Sequence, residues 1–393
     1  MKIASFLAIL TFFLLAPVYA QTTAQSAYRD WEILTGDDPQ AQDNQGATQA
    51  AAVAVWRPMN GTGLPPLTQL NINVILADPI NPKIVYLGTS ADYGEYGGVY
   101  RTTDGGLNWS PFNTGIAAHA AIDMLAITPD GGVLYGRDSN YASVGLFRTT
   151  TDSANWTKLT TPIASDANDI HSMYVDSDYI YIGLYANGMY KSGNQGVDWS
   201  QMEHAPINTI GVIAGVSTDS DLLYAVVVTP YKTIDGGETW EYLTSFNVGV
   251  NPCESRGYVD TISIDPTNTD VFLVGDDYQC LVRSDDGGAT LTKVYEGAGV
   301  NRVIFDPRDP NLAYLSAITR GITHDGVMMS SDNGKTWVDY NSGLPWMGTN
   351  GFELGPGAAG KPSVLYAGMT RKGIYTTAPS ASQHAVFLPA LRR

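Results

Sequence analysis

Basic residues are scarce. The 393-residue chain carries 22 Lys and Arg against 39 Asp and Glu, a formal net charge of −17. It lacks the cations that neutralise a phosphate backbone, which excludes nucleic acid as a general partner. Charged residues make up only 16% and hydrophobic residues 44%, so compositional disorder is excluded too. After the first twenty positions no apolar run approaches the ~20 residues of a spanning helix, and no transmembrane segment is expected in the mature chain. His119, His171, His204, His324 and His384 have no metal-ligand spacing. No HExxH occurs and no Ser stands in a nucleophile-elbow frame, so neither a metal nor a cofactor is expected.

Cysteine is nearly absent: Cys253 and Cys280 are the only two. Residues 1–20 read as a secretory signal peptide, with Lys2, the apolar run Ile3 to Ala16 and Val18-Tyr19-Ala20 before a cut at Gln21. In an exported chain the two cysteines are expected to pair. The expected location is secreted or extracytoplasmic, with cell-surface association as a variant, and the expected state is monomeric. Residues 21–50 form a polar leader without clear period, and residues 379–393 a C-terminal tail.

What is abundant is turn chemistry. The 41 Gly and 21 Pro stand between short apolar runs, a pattern of many tight turns and not of long helices. A nine-residue unit recurs within it. Arg101 to Trp109, Lys232 to Trp240 and Met329 to Trp337 share the spacing Ser/Thr-x-Asp-x-Gly-x-x-Trp; Lys191 to Trp199 has Asn194 for the Asp, Arg283 to Leu291 lacks the Trp, and Arg148 to Trp156 has Asp152 displaced by one place.

This unit resembles the Asp-box (BNR) repeat of β-propellers such as sialidases, xyloglucan-active glycosidases, sortilin-like receptors and photosystem II assembly factors. The resemblance implies a structural hairpin in which Asp104, Asn194, Asp235, Asp286 and Asp332 accept backbone N–H groups across the turn, Gly supplies positive φ and the aromatic covers it. No subfamily fits throughout. The arginine cluster and Arg-Ile-Pro motif of sialidases are absent, and the two-propeller cleft of xyloglucan-active enzymes needs more chain than is present.

Between the repeated turns, first strands begin near Ile72, Ile122, Ile170, Thr209, Tyr258, Val300 and Asn350, which predicts an all-β fold: one seven-bladed propeller of four-stranded blades over residues 51–378. Trp56 to Pro65 matches the stretch from Trp337 to Pro345, whereas Gly373 to Thr377 is a third strand with no fourth strand after it. The N-terminal strand is therefore expected to complete the C-terminal blade and close the ring.

In such a fold the repeated turns share one face, and the second-to-third and blade-to-blade loops share the other. Loops on a rigid scaffold concentrate binding residues, and here they carry acids with aromatics. Tyr93, Tyr96, Tyr141, Tyr278 and Trp346 are candidate stacking anchors for an extracellular glycan or protein. Asp92, Glu95, Asp276 and Asp277 are the candidate carboxylates should the chain be a glycoside hydrolase, which needs two about 5 to 10 Å apart. One short polar residue per blade, Asn73, Asp123, His171, Asn208, Asp260, Asn301 and Asn350, is expected at the channel mouth. There it either holds water, a cation or a ligand hydroxyl, or caps its own loop. The favoured function is a non-catalytic binding or scaffold propeller, with a glycoside hydrolase and an extracytoplasmic assembly factor as alternatives.

Overall fold

The computed structural model describes residues 55–90, 96–141, 143–161, 170–247, 250–253, 259–276, 280–318, 326–345, 349–359, 361–369 and 371–377. The segments expected as a signal peptide, a polar leader and a C-terminal tail lie outside them. The described chain forms seven four-stranded antiparallel sheets. Their innermost strands are Asn71–Ala77, Ile122–Ile127, Ile170–Val175, Val212–Val216, Val259–Ile264, Gly299–Phe305 and Gly351–Gly355. Each touches the next in chain order and the last returns to the first, so the sheets are the blades of a closed seven-bladed propeller.

The second strand of a blade lies between two neighbouring blades and is mostly buried, along its whole length in Val85–Ser90 and Val364–Met369. This accounts for its unbroken apolar reading, Val-Tyr-Leu-Gly in the first blade. The closing Gly is a packing requirement. A Cβ on Gly183, Gly275 or Gly368 would come 2.7 Å from Ile210, Val300 or Ile72, and one on Gly88 would come 2.7 Å from the Ile122 carbonyl oxygen. In each case the neighbour is the entry to the following blade's first strand, which fits only because the side chain is missing.

Ring closure repeats the bonding found inside the ring. In the first blade the Asn113 side chain accepts the Val99 N–H at 2.6 Å, and in the sixth Asn341 accepts that of Val327 at 2.7 Å. In the last blade Asn60, from the N-terminal segment, accepts the Ile374 N–H at 2.7 Å. Trp56 likewise takes the place of a turn tryptophan: its N–H donates to Ser342 O at 2.8 Å and its indole to Tyr340 O at 2.6 Å. Trp156 does the same with Thr114 O and Phe112 O. Arg57–Pro58 then pairs with Gly373–Thr376 as the fourth strand of the seventh blade.

Six of the seven first strands start within about one residue of the sequence expectation; the fourth starts at Val212 instead of Thr209. The other blades with a clear match end their first strand on a turn residue such as Asp78, Asp176, Asp265 or Asp306, whose buried carboxylate accepts amides two or three positions on. The fourth closes through the short Ser217–Thr218 connection after a pairing slip at Gly215. It offers no turn from which to count back.

Candidate functional site

The repeated turns form one end of the ring. In the fourth blade Asp235 accepts the Thr233 hydroxyl at 2.7 Å, the Thr239 N–H at 2.9 Å and the Thr239 hydroxyl at 2.6 Å, while the Gly237 N–H donates to the Thr233 hydroxyl. Asp104, Asp286 and Asp332 repeat this set, and Asn194 does so through its carbonyl oxygen, with its amide turned to Asp198. The hydroxyls of Thr239 and Thr233 hold the Asp235 carboxyl down at about 2. These side chains accept hydrogen bonds from the hydroxyls and amides of their own turns.

The opposite face carries the loops and the start of each first strand. Asn73, Asp123, His171, Asp260 and Asn301 each stand at the position the strand register skips in the first strand, a β-bulge. A β-bulge re-aims the side chain it carries, and two of these reach the following blade. The Asn73 amide donates to Ile122 O at 3.1 Å and that of Asn301 to Thr349 O at 3.0 Å, while Ser90 and Ser316 donate to the two amide oxygens. Asp123 lies 3.4 Å from Arg137, and burial pushes its carboxyl up against the opposing pull of that guanidinium. His171 sits with its ring 5.7 Å from that of Tyr185, and Asp260 is exposed.

Asn350 occupies the same register without a bulge, its N–H donating to Gly368 O. The matching position in the fourth blade is Gly211, whose N–H donates to Val226 O; Asn208 stands three residues earlier, outside the strand. Six of the seven chosen side chains thus share one level of the ring. For Asn73 and Asn301 the amide N–H bonds run to the next blade, while the amide oxygens accept from Ser90 and Ser316 of the same blade.

Tyr141 is 82% exposed in its second-to-third loop, with Tyr185 at 57%, Ile207 at 71% and Val228 at 58% on the same face in the third and fourth blades. Tyr96 is half-buried and its carbonyl accepts the Thr89 hydroxyl. Asp276 is buried and accepts the Cys280 N–H at 3.0 Å, so it anchors the strand that carries the Cys253–Cys280 disulfide, whose Cα atoms are 5.9 Å apart. Asp138 is also buried and takes the Ala121 and Asn140 amides. Asp92, Tyr93, Glu95, Asp277, Tyr278 and Trp346 lie outside the described residues. Among the described residues no cluster of His, Cys, Asp and Glu could hold a metal ion.

A latch between blades escaped the sequence reading. In several blades the basic residue that opens the repeated unit reaches the residue after the turn Asp or Asn of the following blade. Arg148 donates to Gln195 O at 3.1 Å, Lys191 to Gly236 O at 3.0 Å, and Arg283 to Asn333 O; Lys232 Nζ lies where a Cβ on Gly287 would approach it at 3.1 Å. Gln195, Gly236, Gly287 and Asn333 all have φ between 60° and 69°, the left-handed conformation that turns the carbonyl outward. The signal was present as a column of Arg and Lys at the head of the repeat.

Residues 112–279 match the DUF6242 beta propeller domain. The chain is 26% identical over 204 residues to a xyloglucanase of Hypocrea jecorina (strain QM6a), a match that takes in 47% of this chain and 23% of that protein. Among solved structures, the GH74 xyloglucanase from Xanthomonas campestris superposes with a TM-score of 0.61 at 15% identity over 82% of this chain and 53% of that one. YCF48 from Cyanidioschyzon merolae gives 0.54 at 16% identity over 82% and 98%, and YCF48 bound to D1 peptide gives 0.55 at 16% over 84% and 98%. These structural likenesses, at low identity, are likenesses of fold.

Proposed function

We propose that the protein is a non-catalytic binding propeller that takes an extracellular polysaccharide or surface protein on the face opposite its repeated turns. The observation that carries this reading is the set of exposed side chains there: Tyr141, Tyr185, Ile207 and Val228 present large apolar surface on loops the fold does not need. Amphipathic rings of this kind serve stacking and contact anchoring. Two acids at the second-to-third loops of that face, Asp138 and Asp276, are buried and occupied by backbone amides. The disulfide supports an oxidising compartment, and hence an exported chain. Tyr93, Tyr278 and Trp346 extend the proposed surface, and the remaining ring residues Asp123, His171 and Asp260 border it.

Similarity to xyloglucanases favours a second reading, a glycoside hydrolase; its candidate carboxylates are Asp92 and Glu95, or Asp276 with Asp277. The similarity to YCF48 bound to D1 peptide adds weight to a protein ligand. A glycan array followed by product analysis of every hit separates the readings. A binder retains its ligand intact. Release of reducing sugar that Asp92→Asn or Asp276→Asn abolishes, with affinity retained, replaces the binder by the enzyme.

A further inference from the structure

The latch between blades has one joint at which the cation is present and its acceptor is not. At the joints from the second to the third blade, the third to the fourth and the fifth to the sixth, a cation meets a carbonyl, through Arg148, Lys191 and Arg283, and at the joint from the fourth to the fifth Lys232 stands beside Gly287. Where the seventh blade has no repeated turn, the sixth blade has Met329 in place of the cation. Cation and acceptor are lost together. The joint from the first to the second blade keeps the cation, Arg101, and lacks the acceptor.

The reason lies in the displaced Asp152. Elsewhere the amide after the turn acid bonds back to the first-to-second turn of its own blade, as Gly105 does to Lys83 O and Gly236 to Asp221 O. In the second blade the corresponding bond comes one residue early, from Thr151 to Gly132 O, and neither Thr151 nor Asp152 has positive φ. The carbonyl that would meet Arg101 is turned elsewhere. The guanidinium lies instead 5.5 Å from the Tyr86 ring centroid and 5.2 Å from that of Phe112, and its buried Nε has no acceptor. Nor does Arg101 have a carboxylate partner among the described residues. The acids of the joint are committed: Asp78 takes the Ile80 and Asn81 amides, and Asp152 the Thr150 hydroxyl.

Two aromatic side chains flank the guanidinium, and its terminal nitrogens are not among the buried unpaired atoms. That arrangement fits one planar oxyanion approaching along the fork, the geometry in which Arg surpasses Lys. We propose that Arg101 is a carboxylate subsite at the joint of the first and second blades, on the side of the repeated turns, and that its ligand is the side-chain carboxylate of an acidic peptide segment. A uronic acid sugar fits less well: Tyr86 and Phe112 are themselves buried, so the recess shows no ring face on which a pyranose could stack. The chain's net negative charge opposes acidic ligands at long range, so the contact is short-range and weak for an isolated peptide.

The repeat itself supplies the variants for testing this, because Lys and Met occupy the Arg101 position in other blades. The full chain, labelled with nitrogen-15 at arginine, is titrated at constant ionic strength with N-acetyl-tetraglutamate amide, its tetraglutamine counterpart, tetragalacturonate and sodium chloride. The expected result is a saturable shift of the Arg101 Nε–H resonance with the glutamate peptide alone, lost in Arg101→Met and weakened in Arg101→Lys. The peptide should also raise the melting temperature of the parent but not that of Arg101→Met. No saturable shift in the parent chain, an equal shift with chloride or tetraglutamine, a stronger response to tetragalacturonate, or peptide binding that survives in Arg101→Met would each overturn the proposal. The titration of the parent stands even if a variant fails to fold.

Discussion

The side chain of Asn60 accepts the backbone N–H of Ile374 at 2.7 Å across 314 positions of sequence. It is the bond that Asn113 makes with Val99 inside the first blade and Asn341 with Val327 inside the sixth. A ring of blades is stable only when its last joint equals the others, since an unjoined blade exposes a sheet edge and its apolar face. Asn60→Ala leaves the Ile374 N–H without its partner and should lower unfolding free energy by about 1 to 3 kcal/mol, read from denaturant melts. Hydrogen exchange should rise first at Gly373–Thr376. Exchange that rises uniformly across all blades would contradict the assignment of this joint as the closing one.

A sharper test of closure is Gly343→Ala. Gly343 has φ +91°, and a Cβ there would stand 2.3 Å from Trp56 O, so both strain and collision oppose the change. Gly115 meets Trp156 O at 2.2 Å with φ +91° in the same setting two blades onward. The two alanine variants should lose similar stability, each more than Asn60→Ala. Equal melting temperatures for Gly343→Ala and the parent would mean that Trp56 does not occupy the joint.

Seven blades, their four-strand order and the terminal exchange were legible in the sequence because each rests on a local signal repeated many times: Gly-containing turns, apolar runs of strand length, and the match of Trp56 to Trp337. The polar level of the ring was legible as a position but not as a bonding pattern. That Asn73 and Asn301 grip the next blade depends on bulges, and a bulge leaves no composition of its own. The Asn208 assignment missed because the fourth blade lacks the turn acid from which the position is counted. The latch of Arg148, Lys191 and Arg283 was written plainly at the head of the repeat, yet a surface cation reads as solubility until its acceptor is seen.

The turn carboxylates give the protein a specific acid sensitivity. Asp235 is held at about 2 against an ordinary value of 3.8, by the hydroxyls of Thr239 and Thr233 and the Thr239 amide; Asp286 is lowered likewise by Thr290. A carboxyl depressed by folding contributes fully above its unfolded value and loses that contribution as pH falls through the folded one. The melting temperature should therefore fall between about pH 4 and pH 2. Asp235→Asn should flatten part of that slope while lowering stability at neutral pH. An unchanged slope would show that other acids, not these turns, set the acid limit.

The Cys253–Cys280 bond spans 27 positions and ties the segment entering the fifth blade to that blade's third strand, Cys280–Ser284. Closing a loop of this size in the unfolded chain is worth about 2 to 4 kcal/mol. Cys253→Ser with Cys280→Ser should lower stability by that amount. Because Asp276 holds the Cys280 N–H independently, the fifth blade should keep its strand pairing, visible as unchanged far-ultraviolet circular dichroism. Labelling of both thiols in the native exported protein would contradict the pairing.

The proposed binding face should be separable from the scaffold by substitution, because Tyr141, Tyr185, Ile207 and Val228 are exposed. Tyr141 and Tyr185 stand on second-to-third loops, and Ile207 on the loop that enters the fourth blade. Truncating an anchor of this type typically costs more than 1 kcal/mol of binding, or about fivefold or more in Kd at room temperature. Tyr141→Ala, Tyr185→Ala and Ile207→Ser should therefore weaken capture of the array-identified ligand while melting within about 0.5 kcal/mol of the parent. Arg148→Met should do the reverse, since it breaks a blade joint on the other side of the ring and leaves the loops untouched. If the two classes of variant lose affinity and stability in proportion, the loop face is part of the scaffold and the proposed binding surface is wrong.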